Sequence, residues 1–182
     1  MQTFPVFTAE SAPEKSKASL KSLQQVLGII PNIAGAMATS PVLIDCLVGM
    51  FQKVHGGSFS EAQIQTVLLT NAVTNRSEWP VAFHSALALE QGLDPADVDA
   101  MRAGKSPKDA ELAPLSTLAR TLIEKRGRLD EDDIQGFVAA GFSTELLLEV
   151  IAIVAASTIT NYTGSVAKPP LEHAFSAHAW RA

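Results

Sequence analysis

Residues 59–104 read FSEAQIQTVLLTNAVTNRSEWPVAFHSALALEQGLDPADVDAMRAG, and the punctuation of this stretch decides the fold. Ser60 and Gln63 have capping-box spacing, in which each side chain satisfies the other's orphan amide. Ile64, Val67 and Leu68 then fall on one stripe of the helix that follows. A second helix starts near Ser77, a residue type suited to an N-cap. Pro80 suits its first turn, where an amide has no intrahelical partner. That helix closes at Gly92, and Asp94 with Pro95 opens a third, short one. No part of the chain alternates apolar and polar residues with β-branched enrichment, so no strand is expected.

The same signals continue outward. Ser40 and Pro41 begin a helix that ends before Gly56, and Pro31 precedes a short one over 31–38. Residues 14–27 place Leu20, Leu23 and Leu27 on one face before Gly28, while Pro5 and Pro13 mark the leading residues as an extended arm. Beyond 104, residues 105–114 read as a linker with one helical turn. Residues 115–126 turn Leu118, Leu122 and Ile123 inward. Residues 130–140 begin with acidic groups that suit the helix dipole. Ser143 or Thr144 starts a long apolar helix to about Tyr162, and Pro169 and Pro170 break the chain before a last short helix over 171–180. The expected fold class is all-α, with eight to ten helices in one domain over 15–182 behind an N-terminal arm over 1–14.

Composition narrows the function. The chain has 182 residues, 47% hydrophobic and 18% charged, a globular balance slightly rich in apolar groups. That excess favours a homo-oligomer. The net charge of −5 with no Lys/Arg cluster argues against a nucleic-acid partner, which would need a basic face. One cysteine, Cys46, cannot form an intrachain disulfide, and its apolar neighbours Leu43 and Leu47 suggest inert packing. With no secretory signal at the start, the default location is cytoplasmic. The unbroken apolar part of the long helix is shorter than the ~20 residues a bilayer requires, so no membrane partner is expected.

Four stretches, in order, carry a resemblance: LGIIPNIAGAMATSPVLIDCL, FSEAQIQTVLLTNAVTN, RSEWPVAFHSALALEQGLDPADVDAMRAG and TELLLEVIAIVAASTITNY, the last followed by PPLEH. Together, over most of residues 25–175, they resemble the carboxymuconolactone decarboxylase and alkyl hydroperoxidase D (AhpD-like) family. The resemblance implies an AhpD-like helical bundle that assembles as a homo-oligomer. It also implies a Cys-x-x-Cys-x-x-x-His motif and an upstream glutamate in the peroxidase branch. With the histidine laid on His84, the two cysteines fall on Ser77 and Pro80 and the glutamate on Gln65. Peroxide reduction by a dithiol needs a thiolate and a second thiol to resolve the sulfenic acid. Neither serine nor proline supplies one.

His84 is therefore the candidate for proton transfer, in an apolar setting of Ala82, Ala86, Leu87 and Ala88. Glu78 is a weaker partner. It lies six residues away, about 240° around a helix, where facing groups sit three or four apart. Gln65 and Asn75 can hold the imidazole tautomer or bind a carbonyl, though neither takes a proton. Ser77 and Trp79 complete the binding candidates, Trp79 as core or as pocket lining. Asn161 and Tyr162 read as hydrogen-bonded packing, and His55 as a helix-terminal group favourable to the dipole. His173 and His178 read as solvated or interface residues, with no metal set around them. No phosphate loop or dinucleotide fingerprint is present, so no cofactor is expected. Three functions follow. One is a cysteine-independent, cofactor-free enzyme that acts on a small carboxylate or lactone through His84. Another is a peroxidase-related protein, and the last is a non-catalytic, oligomeric or ligand-binding form.

Overall fold

In a computed structural model, which describes residues 4–182, the chain is all-α, with no strand among the described residues. Among the described residues nine α-helices follow one another: α1 (Lys17–Leu27), α2 (Asn32–Met37), α3 (Pro41–His55), α4 (Glu61–Thr74), α5 (Glu78–Glu90), α6 (Pro95–Arg102), α7 (Leu112–Glu124), α8 (Glu131–Ala139) and α9 (Thr144–Ala167). Short 3₁₀ segments lie at Glu14–Ser16 and His173–His178.

The start signals act largely as the sequence suggests. The Ser60 side chain accepts from the Gln63 amide and the Gln63 side chain accepts from the Ser60 amide, the reciprocal cap. Ser40, Asp94 and Ser143 cap α3, α6 and α9. Three boundaries differ. α7 opens at Leu112, inside the expected linker, because the Asp109 carboxylate accepts from the amides of Glu111 and Leu112. α9 runs on to Ala167 and ends only where Lys168 turns left-handed ahead of Pro169. The last expected helix forms as a 3₁₀ segment, since its short run packs Phe175 inward and exposes most of the rest.

α4 and α5 form the centre. Residues 64–72 of α4 and 79–86 of α5 are all buried, so neither helix has a solvent face. Three apolar clusters surround them. One joins α3, α4, α7, α8 and α9 through Leu68, Leu115 and Ile153. Another joins α1, α2, α3 and α5 to Phe175. The third joins α4 and α5 to α6 and α7. Each Leu or Ile so buried contributes about 1.5–3 kcal/mol. Polar groups inside α4 are satisfied across helices: Thr70 Oγ1 meets Ser116 Oγ of α7 at 2.9 Å, and Asn71 Nδ2 donates to the Val154 carbonyl of α9 at 3.0 Å.

The arm, over its described residues, crosses α2, where the Phe7 amide donates to the Gly35 carbonyl at 3.2 Å. A Cβ at Gly35 would sit 2.7 Å from the Phe7 carbonyl oxygen, so glycine permits this crossing. Residues 1–3 of the expected arm lie outside the described residues. α9 is long and apolar enough to span a membrane by length and composition, with 39% of its most apolar window buried. Here it packs against α3, α4, α5 and α7.

Candidate functional site

α1, α2, α3, α4, α5 and Thr160 of α9 line a half-open cavity of about 660 Å³. Its walls are apolar, built from Leu23, Leu47, Phe51, Trp79, Phe83 and Leu87 among others. His84 reaches it from α5 and Gln65 from α4. α4 and α5 pack as an antiparallel pair joined by a turn in which Arg76 adopts φ 52°. The Ser77 amide closes that turn by donating to the Ala72 carbonyl at 3.0 Å. This hairpin sets Gln65 beside His84: Nδ1–H of the imidazole donates to Gln65 Oε1 at 2.9 Å.

Because an amide oxygen can only accept, that contact assigns the ring proton to Nδ1. With the proton on Nδ1, Nε2 keeps its lone pair, and it has no hydrogen-bond partner among the described residues. His84 is 2% exposed. Burial, aided by the charge of nearby His55, pushes its pKa from 6.5 down to about 3, so the ring is neutral at any ordinary pH. Phe83 meets its edge at 5.3 Å between centroids, and Trp79 stacks on Phe83 at 5.0 Å. Trp79 is itself fixed by the C-terminal segment. Its Nε1–H donates to Glu172 Oε2 at 3.0 Å, while Glu172 Oε1 accepts from the Asn32 amide at 2.5 Å.

Of the sequence candidates, His84, Gln65 and Trp79 converge on this cavity. Glu78 does not. It is exposed at the first position of α5 and makes no hydrogen bond to His84, as its six-residue offset requires. Ser77 is buried outside the lining. It stands at the N-cap without capping, because its hydroxyl donates to the Asn161 carbonyl of α9 at 3.0 Å. Asn75 turns back onto α4, where Nδ2 donates to the Asn71 carbonyl and Oδ1. Asn161 is part of this buried amide cluster, donating to Asn71 Oδ1 and Ser157 Oγ at 3.2 Å each. Tyr162, expected beside it in packing, is 63% exposed, since the next α9 residue points away from the core. Cys46 is exposed rather than packed. It shares the outer face of α3 with Val42 and Gly49, whereas Ile44, Leu47 and Val48 face inward. His173 is exposed and His178 half-buried.

One pair escaped the sequence reading. His55 ends α3 and Glu61 begins α4, and both line the cavity. His55 Nδ1 lies 2.9 Å from each Glu61 carboxylate oxygen, and Phe51 stacks on the ring at 5.6 Å. The available signal was the Gly56–Gly57 reversal between them, which folds a histidine back onto a carboxylate six residues on. The remaining ionisable group of the wall is Glu90; no Lys or Arg lines it. Among the described residues no group of three or more His, Cys, Asp or Glu could hold a metal ion.

By sequence, the chain matches no protein-family model and no curated protein. By structure it resembles an alkylhydroperoxidase AhpD core, an uncharacterized peroxidase-related protein from Ralstonia eutropha JMP134. The TM-score is 0.83 at 16% identity, over 94% of this chain and 93% of that one. A peroxidase-related protein from Silicibacter sp. TM1040 gives 0.78 at 16% identity, over 95% and 92%. A variant of the debrominase Bmp8 in complex with 2,3,4-tribromopyrrole gives 0.75 at 16% identity, over 98% and 95%. The fold is AhpD-like.

Proposed function

Starting from an AhpD-like fold whose cavity holds no thiol, we propose that the protein is a thiol-independent small-molecule site. It takes an apolar ring compound that carries an O–H or N–H donor. The observation that supports this reading is the 2.9 Å contact between His84 Nδ1 and Gln65 Oε1. A neutral imidazole, held at Nδ1 by Gln65, offers Nε2 as a fixed acceptor in a cavity of about 660 Å³. Such an acceptor selects donors, because a ligand without one leaves Nε2 buried and unpaired.

Carboxylates fit less well, because a carboxylate would lack a lysine or arginine partner on this wall. Thiol peroxidase chemistry has no support here either, because Ser77 and Pro80 stand where the dithiol would be and Cys46 lies outside the cavity. The debrominase complex is with a ring that bears an N–H, the ligand class proposed here.

Calorimetric titration of phenol, 2,3,4-tribromopyrrole and anisole tests the reading. Phenol and the pyrrole are expected to bind about tenfold more tightly than anisole, which lacks the donor, the equivalent of ~1.4 kcal/mol. In His84→Phe that preference is expected to vanish, while Cys46→Ser retains it. Equal affinity of phenol and anisole for the wild-type protein would overturn it.

A further inference from the structure

Resting on that reading of the cavity, we propose that Glu61 and His55 form its proton-accepting pair. The ligand class is then an aromatic or enolic compound with two hydroxyls, one bonded to His84 and the other deprotonated by His55.

The two histidines are built for different work. His84 is buried in the cavity wall and committed through Nδ1 to an amide, which carries no charge to compensate a positive ring. Nε2 can accept a hydrogen bond, but the ring takes up no second proton at neutral pH. His55 has the opposite arrangement. Its Nδ1 faces a carboxylate, both oxygens at 2.9 Å, and that carboxylate balances the charge the ring gains on taking a second proton. The pair lines the cavity and is partly open to solvent, the His55 and Glu61 side chains being 33% and 43% exposed, so a proton taken from a ligand can pass on to water. Phe51 on the ring face and the position at the α3 C-terminus, where the helix dipole favours a cation, hold the imidazole in place.

Nε2 of His55 has no hydrogen-bond partner among the described residues. Both rings line the cavity, and a ligand with a single donor can satisfy only one of them. The other ionisable groups facing this space are Glu61, His84 and Glu90. In the step itself, the ligand O–H bond breaks and its electron pair stays on oxygen, while an N–H bond forms at His55 Nε2. Nothing is oxidised or reduced. The product is an oxyanion beside an imidazolium–carboxylate pair.

4-Nitrocatechol is a direct probe, since it carries two hydroxyls and its ionisation shows in visible absorbance. Bound to the wild-type protein, it is expected to ionise about one pH unit lower than when bound to His55→Gln, a tenfold change in the proton equilibrium. Glu61→Gln is expected to fall between them. His84→Phe should bind the probe more weakly yet keep the His55-dependent shift. Because His55 and Glu61 are partly exposed, both variants are expected to keep the wild-type circular dichroism spectrum. If the bound probe ionises at the same pH with and without His55, the proton-accepting role is wrong and the cavity reading stands. If the wild-type protein binds no nitrocatechol, the cavity reading fails and this inference with it.

Discussion

In the unfolded chain His84 ionises near 6.5, but in the fold burial holds that back to about 3. A depressed histidine is neutral in both states at high pH and adds no pH dependence there. Below 6.5 the unfolded chain gains a proton that the folded one refuses, so stability falls as pH drops toward 3. The expected slope from this residue is about 1.4 kcal/mol per pH unit across that window. Denaturant unfolding of the wild-type protein and His84→Gln, at several pH values from 7 to 4, checks it. The variant should lose less stability on acidification, whatever its stability at pH 7. Parallel curves would mean that His84 is reached by water. At this scale the sequence showed the right residue types without their distances. Gln65 and His84 are nineteen positions apart and only the α4–α5 hairpin joins them, and nothing local pairs Trp79 with Glu172.

Helix α5 meets α9 at its first turn, and the contact depends on a missing side chain. A Cβ on Gly164 would lie 3.0 Å from Ser77 Oγ and 3.3 Å from Pro80 Cδ. Neither neighbour yields easily: the hydroxyl is tied to the Asn161 carbonyl, and proline is rigid. Gly164→Ala is therefore expected to destabilise the protein by about 1–3 kcal/mol through overpacking. That outweighs the ~1 kcal/mol that alanine gains in a helix interior. Thermal unfolding with linked denaturant curves reads the difference; a stabilised variant would show that α9 can slide outward. The element scale is where the sequence was most legible, because caps, glycines and prolines act locally. Ser60, Ser40, Asp94 and Ser143 all start helices as read. Ser77 was the exception, for a tertiary reason: α9 offered its hydroxyl a carbonyl closer to hand than the α5 amides.

Across the whole molecule the apolar surface is uneven. On α9, Leu148, Ile151, Tyr162 and Val166 are exposed along one side, and Val42, at 74% exposure, stands out on α3, which packs beside it. A homo-oligomer, expected from composition, would cover this surface, and light scattering is expected to give more than one chain per particle. Leu148→Glu should lower that mass without unfolding the protein, and a monomeric wild-type protein would refute it. None of these exposed residues lines the cavity, whose character rests on one proton position. Nitrogen-15 NMR of the imidazoles measures that position directly. The expected spectrum shows His84 neutral from pH 8 to 5, protonated at Nδ1 and bare at Nε2, with the Nε2 resonance moving when phenol binds. A protonated Nε2 in the free protein, or an imidazolium at neutral pH, would contradict the proposed site.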